Sequence, residues 1–223
     1  SKRNLVISIV LNFIITAAEF VGGILSNSLA LLSDALHNLS DTFAIFISYV
    51  ALIIGEKGSN KKNTFGYKRV EILAALLNAV VLVVISLYLF YEAYQRLMNP
   101  EPVKGKTMMI VAVIGLLANL VSVILLNRDS KSSLNIKAAF IHLLGDTFSS
   151  VGVILASVLI LFYDLYWVDP LLTFIIGVFI LRGTYGILKE TVEILMQASP
   201  SDLDINRIKN ELETHPKVGN IHH

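Results

Sequence analysis

The 223-residue chain contains no cysteine. Disulfides are therefore excluded, and so is any metal site built on thiolate. Charge is scarce as well. Asp, Glu, Lys and Arg make up 16% of the residues, against the quarter or so usual in soluble domains. The net charge of +1 comes with no basic patch interleaved with aromatics, so nothing points to nucleic acid. The His-Glu-x-x-His signature of a metalloprotease is missing, which argues against an intramembrane hydrolase. The run after Lys2 and Arg3 has no Ala-x-Ala cleavage pattern, so it reads as a retained first span rather than a signal peptide.

What is abundant is apolar sequence: 55% of residues are hydrophobic and the mean hydropathy is +0.69. Spanning a bilayer takes about 20 such residues. Six stretches qualify, near Leu5 to Leu25, Leu29 to Ile54, Ile72 to Leu97, Thr107 to Leu126, Ala138 to Phe162 and Asp169 to Leu188. The fold expected is an all-α membrane protein of six transmembrane helices over residues 1–198. Gly22-Gly23 and Ser26-Asn27-Ser28 read as a tight turn between the first two spans, and Gly55 as the end of the second. Asp169-Pro170 reads as the N-cap and first residue of the sixth.

Cationic residues cluster on the cytoplasmic side of membrane proteins. Lys2 and Arg3 precede span one. Lys57, Lys61, Lys62, Lys68 and Arg69 join spans two and three. Arg128, Lys131 and Lys137 join four and five. The opposite side has Arg96, Lys104 and Lys106. Both termini are thus expected to be cytoplasmic, with the plasma (inner) membrane as the location. After Pro200 the composition turns polar. Asp202 to Thr214 alternates Leu203, Ile205, Ile208 and Leu212 with charged residues, as an amphipathic soluble helix does. Residues 199–223 read as the truncated start of a cytoplasmic domain.

Two segments inside the apolar spans share a pattern. One is His37-Asn38-Leu39-Ser40-Asp41-Thr42-Phe43 and the other is His142-Leu143-Leu144-Gly145-Asp146-Thr147-Phe148. A four-residue spacing puts each His-Asp pair on one helix face. Ionisable groups at membrane depth are costly and mark substrate paths or proton relays. Two imidazoles and two carboxylates, His37, Asp41, His142 and Asp146, suit a four-coordinate divalent metal such as zinc. The two pairs lie on the middle helices of the two three-span halves, which run in opposite directions like an inverted repeat with its site between the halves. Equal spans would leave the pairs offset by about one turn.

Asp34 lies on the same face as His37 and Asp41. It reads as an acceptor behind the ligands or part of an aqueous mouth, with a direct ligand role also open. Asn12, Glu19, Asn119 and Ser122 either bond between helices or line a cavity. Gly145 and Gly152 read as close-packing positions. His215, His222 and His223 are surface histidines or ligands of the polar C-terminal region.

These residues resemble the cation diffusion facilitator family, zinc transporters with His-x-x-x-Asp in the second and fifth helices. The resemblance rests on residues 26 to 41, from Ser26-Asn27-Ser28 through His37 to Asp41. It rests also on Phe65-Gly66-Tyr67-Lys68-Arg69-Val70-Glu71, on the second His-x-x-x-Asp block and on Asp169-Pro170-Leu171-Leu172-Thr173. It implies six helices per protomer, a homodimer, and a ferredoxin-like cytoplasmic domain. It implies zinc at His37, Asp41, His142 and Asp146, and export of zinc from the cytosol in exchange for protons. No resident cofactor is implied, since zinc is the cargo. Two imidazoles favour zinc, with cadmium or cobalt as further substrates. The alternative is a metal-gated channel or metal sensor without proton coupling. Unlike some members, the chain has no histidine-rich tract between spans four and five.

Overall fold

The computed structural model describes residues 2–55, 69–127, 134–198 and 205–214. These form seven helices and no strand: α1 Lys2–Ser26, α2 Leu29–Gly55, α3 Arg69–Met98, α4 Gly105–Asn127, α5 Leu134–Tyr163, α6 Val168–Leu195 and α7 Ile205–Glu213. Long apolar runs form helices in lipid because a helix satisfies every backbone polar group within its own segment. Over the described residues, four helices are long and apolar enough to cross a membrane: Arg69–Met98, Gly105–Leu125, Phe140–Tyr163 and Val168–Leu195. Val10–Ser26 is a shorter apolar helix. The loops expected to carry the cytoplasmic charge, 56–68 and 128–133, lie outside the described residues, as do Phe65 to Lys68, His215, His222 and His223.

The helix ends establish the topology. Asn27 takes φ 59° and turns the chain between α1 and α2. The Lys104 amide donates to the Ser26 carbonyl at 2.9 Å. The Arg96 guanidinium donates to the Asn27 carbonyl at 2.7 Å and to Asn27 Oδ1 at 3.0 Å. Asp169, fully buried, accepts from Ser28 Oγ at 2.6 Å and from the amides of Leu29 and Ala30 at 2.8 and 3.3 Å. The ends of α1 and α3 and the starts of α2, α4 and α6 therefore meet at one end of the bundle. The end of α5 joins them, because Gly105 lies against the backbone of Leu161. Consecutive helices consequently alternate in direction, and α2 and α5 are antiparallel.

This corrects two expectations. Asp169 and Pro170 do not start α6; Trp167 is its N-cap and supplies no side-chain hydrogen bond. The Asp169 carboxylate instead satisfies the free amides at the start of α2, a cap supplied from another helix. Gly22 and Gly23 are not turn residues either. They lie within α1, where a Cβ at Gly22 would meet Val111 at 2.5 Å and one at Gly23 would meet Leu32 at 2.8 Å. They let α4 and α2 approach α1 closely.

Helix α4 packs along α5 and α1, and α1 along α2. Helices α3 and α6 form a second pair that joins the others through α2 and α5. That pair is knit by Phe90 and Phe174, with ring centroids 5.1 Å apart, and by Phe90 pressed against Gly177. The main core gathers Ala30 and Leu31 of α2, Met108 and Ala112 of α4, and Val153, Ala156 and Ile160 of α5. It lies toward the capped end, so α2 and α5 are held together there. In α7, Ile208 and Leu212 are exposed.

Candidate metal centre

The two His-x-x-x-Asp segments meet between α2 and α5. His142 Nε2 lies 3.2 Å from Asp41 Oδ2 and 3.6 Å from Asp146 Oδ2, and His37 Nε2 lies 3.5 Å from Asp41 Oδ2. The two imidazoles stand edge to face with centroids 5.8 Å apart. Ligand atoms of His37, His142 and Asp146 all lie within 4.8 Å of one another. Bonds of about 2.0–2.1 Å in a tetrahedral zinc site put neighbouring ligand atoms about 3.4 Å apart. The three His–Asp separations bracket that value.

The register explains the meeting. Ser149 Oγ of α5 donates to Asp34 Oδ1 of α2 at 2.7 Å. Seven residues on along α2 is Asp41, and seven residues back along α5 is its neighbour His142. Equal and opposite steps are the mark of antiparallel packing. The same register puts Leu29 level with about residue 154, so α5 runs roughly 13 Å past the start of α2. The one-turn offset expected from flush spans vanishes for that reason: the two helices, 27 and 30 residues long, are staggered along one another. Helix α5 also starts at Leu134, before the expected Ala138.

The segments match in detail. Thr42 Oγ1 donates to the Asn38 carbonyl and Thr147 Oγ1 to the Leu143 carbonyl, each one turn back. Both threonines are thereby occupied within their own helices. Phe43 and Phe148 point away from the bundle, exposed. Each motif thus turns its His and Asp inward and its Phe outward.

The donor set fits a cation. Asp41 Oδ2, Asp146 Oδ2 and His37 Nδ1 are buried atoms without a hydrogen-bond partner. Two carboxylate oxygens that accept no hydrogen bond and face imidazole nitrogens are an arrangement that an ion would satisfy. Exposure is graded across the site. The Asp146 side chain is 5% exposed, whereas Asp41 is 30% and His142 38% exposed. Burial thus increases from Asp41 and His142 toward Asp146.

Asp34, 2% exposed, is not part of an open mouth. Its bond to Ser149 ties α2 to α5 one turn from the cluster. Ser149 gave no signal in the sequence, because a lone serine on an apolar helix has no motif around it. Gly152 touches Leu172 closely, as a packing glycine should, but a Cβ at Gly145 would meet nothing within 4 Å. Among the described residues, Gly145 therefore makes no close packing contact.

Comparison with known proteins agrees with these features. Residues 5–196 match the cation efflux transmembrane domain. In a 224-residue alignment the chain is 41% identical to the cadmium, cobalt and zinc/H(+)-K(+) antiporter of Bacillus subtilis (strain 168), covering 100% of this chain and 72% of that protein. It is 42% identical over 217 residues to the zinc transporter ZitB of Pectobacterium atrosepticum, covering 95% and 68%. It is 39% identical over 222 residues to the cation efflux system protein CzcD of Alcaligenes sp. (strain CT14), covering 100% and 70%. The chain belongs to the cation efflux family, the cation diffusion facilitators. It is a multi-pass membrane protein.

Proposed function

We propose that this protein exports zinc from the cytosol in exchange for protons, with cadmium and cobalt as further substrates, and that His37, Asp41, His142 and Asp146 are the metal ligands. The observation that carries the reading is the 3.2 Å approach of His142 to Asp41, which joins two distant motifs into one donor set. The names of the relatives support it, since they include zinc transporters and a cadmium, cobalt and zinc antiporter.

Antiport follows from the chemistry of the ligands. Zinc needs neutral imidazole and ionised carboxylate, so its binding displaces protons. When zinc leaves, the same groups take protons back, and metal and protons compete for one site. Rocking of the helices would then switch the side to which the site opens. In this reading α1–α6 all cross the membrane, with both termini in the cytoplasm and the plasma (inner) membrane as the location. Residues 1–198 are the transmembrane domain. Residues 199–223 begin a cytoplasmic domain, and the working unit is a homodimer.

The test is zinc flux into proteoliposomes that carry a zinc-sensitive dye. Flux is expected to follow an imposed pH gradient and to fall when a protonophore collapses it. Flux of equal size with and without the gradient would favour the metal-gated channel and reject the antiporter.

A further inference from the structure

A second polar cluster lies between α1, α2 and α4. Glu19 of α1 is 1% exposed. Its Oε2 accepts from Asn38 Nδ2 of α2 at 3.2 Å. Its Oε1 lies over Gly115 of α4, where a Cβ would come within 2.7 Å. The glycine makes room for the carboxyl against the α4 backbone. One turn further along α4 is Asn119, fully buried with both amide atoms unpaired, and beyond it Ser122, also fully buried with its hydroxyl unpaired. Asn38 is fully buried as well, and its Oδ1, on the same amide that touches Glu19, is unpaired.

A buried carboxylate needs a compensating charge or a proton. The sequence provides no Lys or Arg between residues 10 and 55, 107 and 127, or 140 and 163. The titratable groups near Glu19 are acids: Asp34 on α2 and, further off, Asp146 on α5. Helix α4 contributes only amide and hydroxyl oxygens to this face. The imidazoles of His37 and His142 face the first site, so the compensating charge at Glu19 is a proton or a cation taken up from solution. The surrounding donors suit it, being hard oxygens with no imidazole among them. The Asn38 amide serves both states of the acid, donating to a carboxylate through Nδ2 or accepting from a carboxylic acid through Oδ1.

We infer that Glu19, with Asn38 and Asn119, forms a second buried site that holds one positive charge, a proton or an alkali-metal ion, when the His37–Asp146 site is without divalent metal. Asn38 follows His37 directly in α2, so the two sites share one helix turn. A doubly charged ion at the first site repels a charge at the second through a poorly screened interior. Metal loading then expels the single charge, and metal release readmits it. This rests on the zinc-transport reading above.

The test compares purified wild type with Glu19→Gln, which keeps an acceptor for Asn38 and fixes the site neutral. Zinc is titrated calorimetrically in buffers of different ionisation enthalpy, with and without potassium. Wild type is expected to release about one more proton per zinc than the variant if the occupant is a proton. If the occupant is an alkali ion, potassium weakens zinc binding by wild type and leaves that of Glu19→Gln unchanged. Equal proton release together with equal potassium sensitivity in the two proteins overturns the inference. A second measurement needs no variant. A hydrophobic carbodiimide, which modifies protonated buried carboxyls, should label Glu19 in metal-free wild type under potassium-free conditions, and zinc should alter that labelling. Peptide mapping that shows the same Glu19 labelling with and without zinc also overturns it. Asp146→Asn keeps the outcomes separable. Loss of zinc binding there, with equal proton release and equal potassium sensitivity in wild type and Glu19→Gln, rejects only the second site, whereas wild type that binds no zinc rejects the transport reading itself.

Discussion

At the scale of single residues, the site sorts its acids by what they touch. Asp41 and Asp146 present buried, unpaired oxygens to imidazole nitrogens. Asp34 spends one oxygen on a serine hydroxyl of the facing helix. Alanine at His37, Asp41, His142 or Asp146 should each weaken zinc binding by more than about 100-fold, beyond the 10–100-fold typical of losing a group behind the ligands. Asp34→Asn keeps the acceptor for Ser149 and should stay within that smaller range. Equilibrium zinc binding to the purified variants decides between them. Tight binding retained by both Asp41→Ala and Asp146→Ala would reject a shared site, and collapse in Asp34→Asn comparable to the alanine variants would promote Asp34 to a ligand.

At the scale of elements, helix packing depends on a few small residues and one imported cap. Phe90 of α3 rests on Gly177 of α6, whereas a Cβ at Gly183, six residues on, would meet nothing within 4 Å. Gly177→Ala should therefore lower stability by about 1–3 kcal/mol through overpacking. Gly183→Ala should leave it unchanged or raise it by up to about 1 kcal/mol, the helix-propensity difference. Thermal unfolding in detergent measures both, and equal shifts would contradict the α3–α6 contact. Asp169 acts across elements, because the cap it supplies belongs to α2, the helix that carries His37 and Asp41. Loss of the carboxylate in Asp169→Ala should cost about 1–2 kcal/mol, as loss of an N-cap does.

At the scale of the whole molecule, the helix termini gather so that the 99–104 connection shares an end with the α1–α2 turn. Arg96, one of the few cations at that end, is held by Glu92 at 3.2 Å and Glu101 at 3.6 Å. The absence of cysteine makes orientation simple to measure, since an introduced thiol is the only one. A cysteine in place of Lys61 is expected to react only from the cytoplasmic side, and one in place of Lys104 only from the opposite side. The reverse pattern would refute both the orientation and the direction of export.

The sequence by itself determined the membrane class and the family. It also picked out the four residues that meet, because a His-Asp pair at helical spacing in an apolar run is a local pattern. The existence of all six long helices was legible for the same reason, since hydrophobic length is a property of a segment. The tertiary structure alone decided what depends on partners distant in sequence. Asp169 caps α2 rather than its own helix, a bond spanning 140 residues. Gly22 and Gly23 make room for α4 and α2 rather than forming a turn. The register of α2 against α5 came from the overhang of α5 and from the bond between Ser149 and Asp34. Spacing along one helix fixes which side chains share a face, but only packing fixes what that face meets.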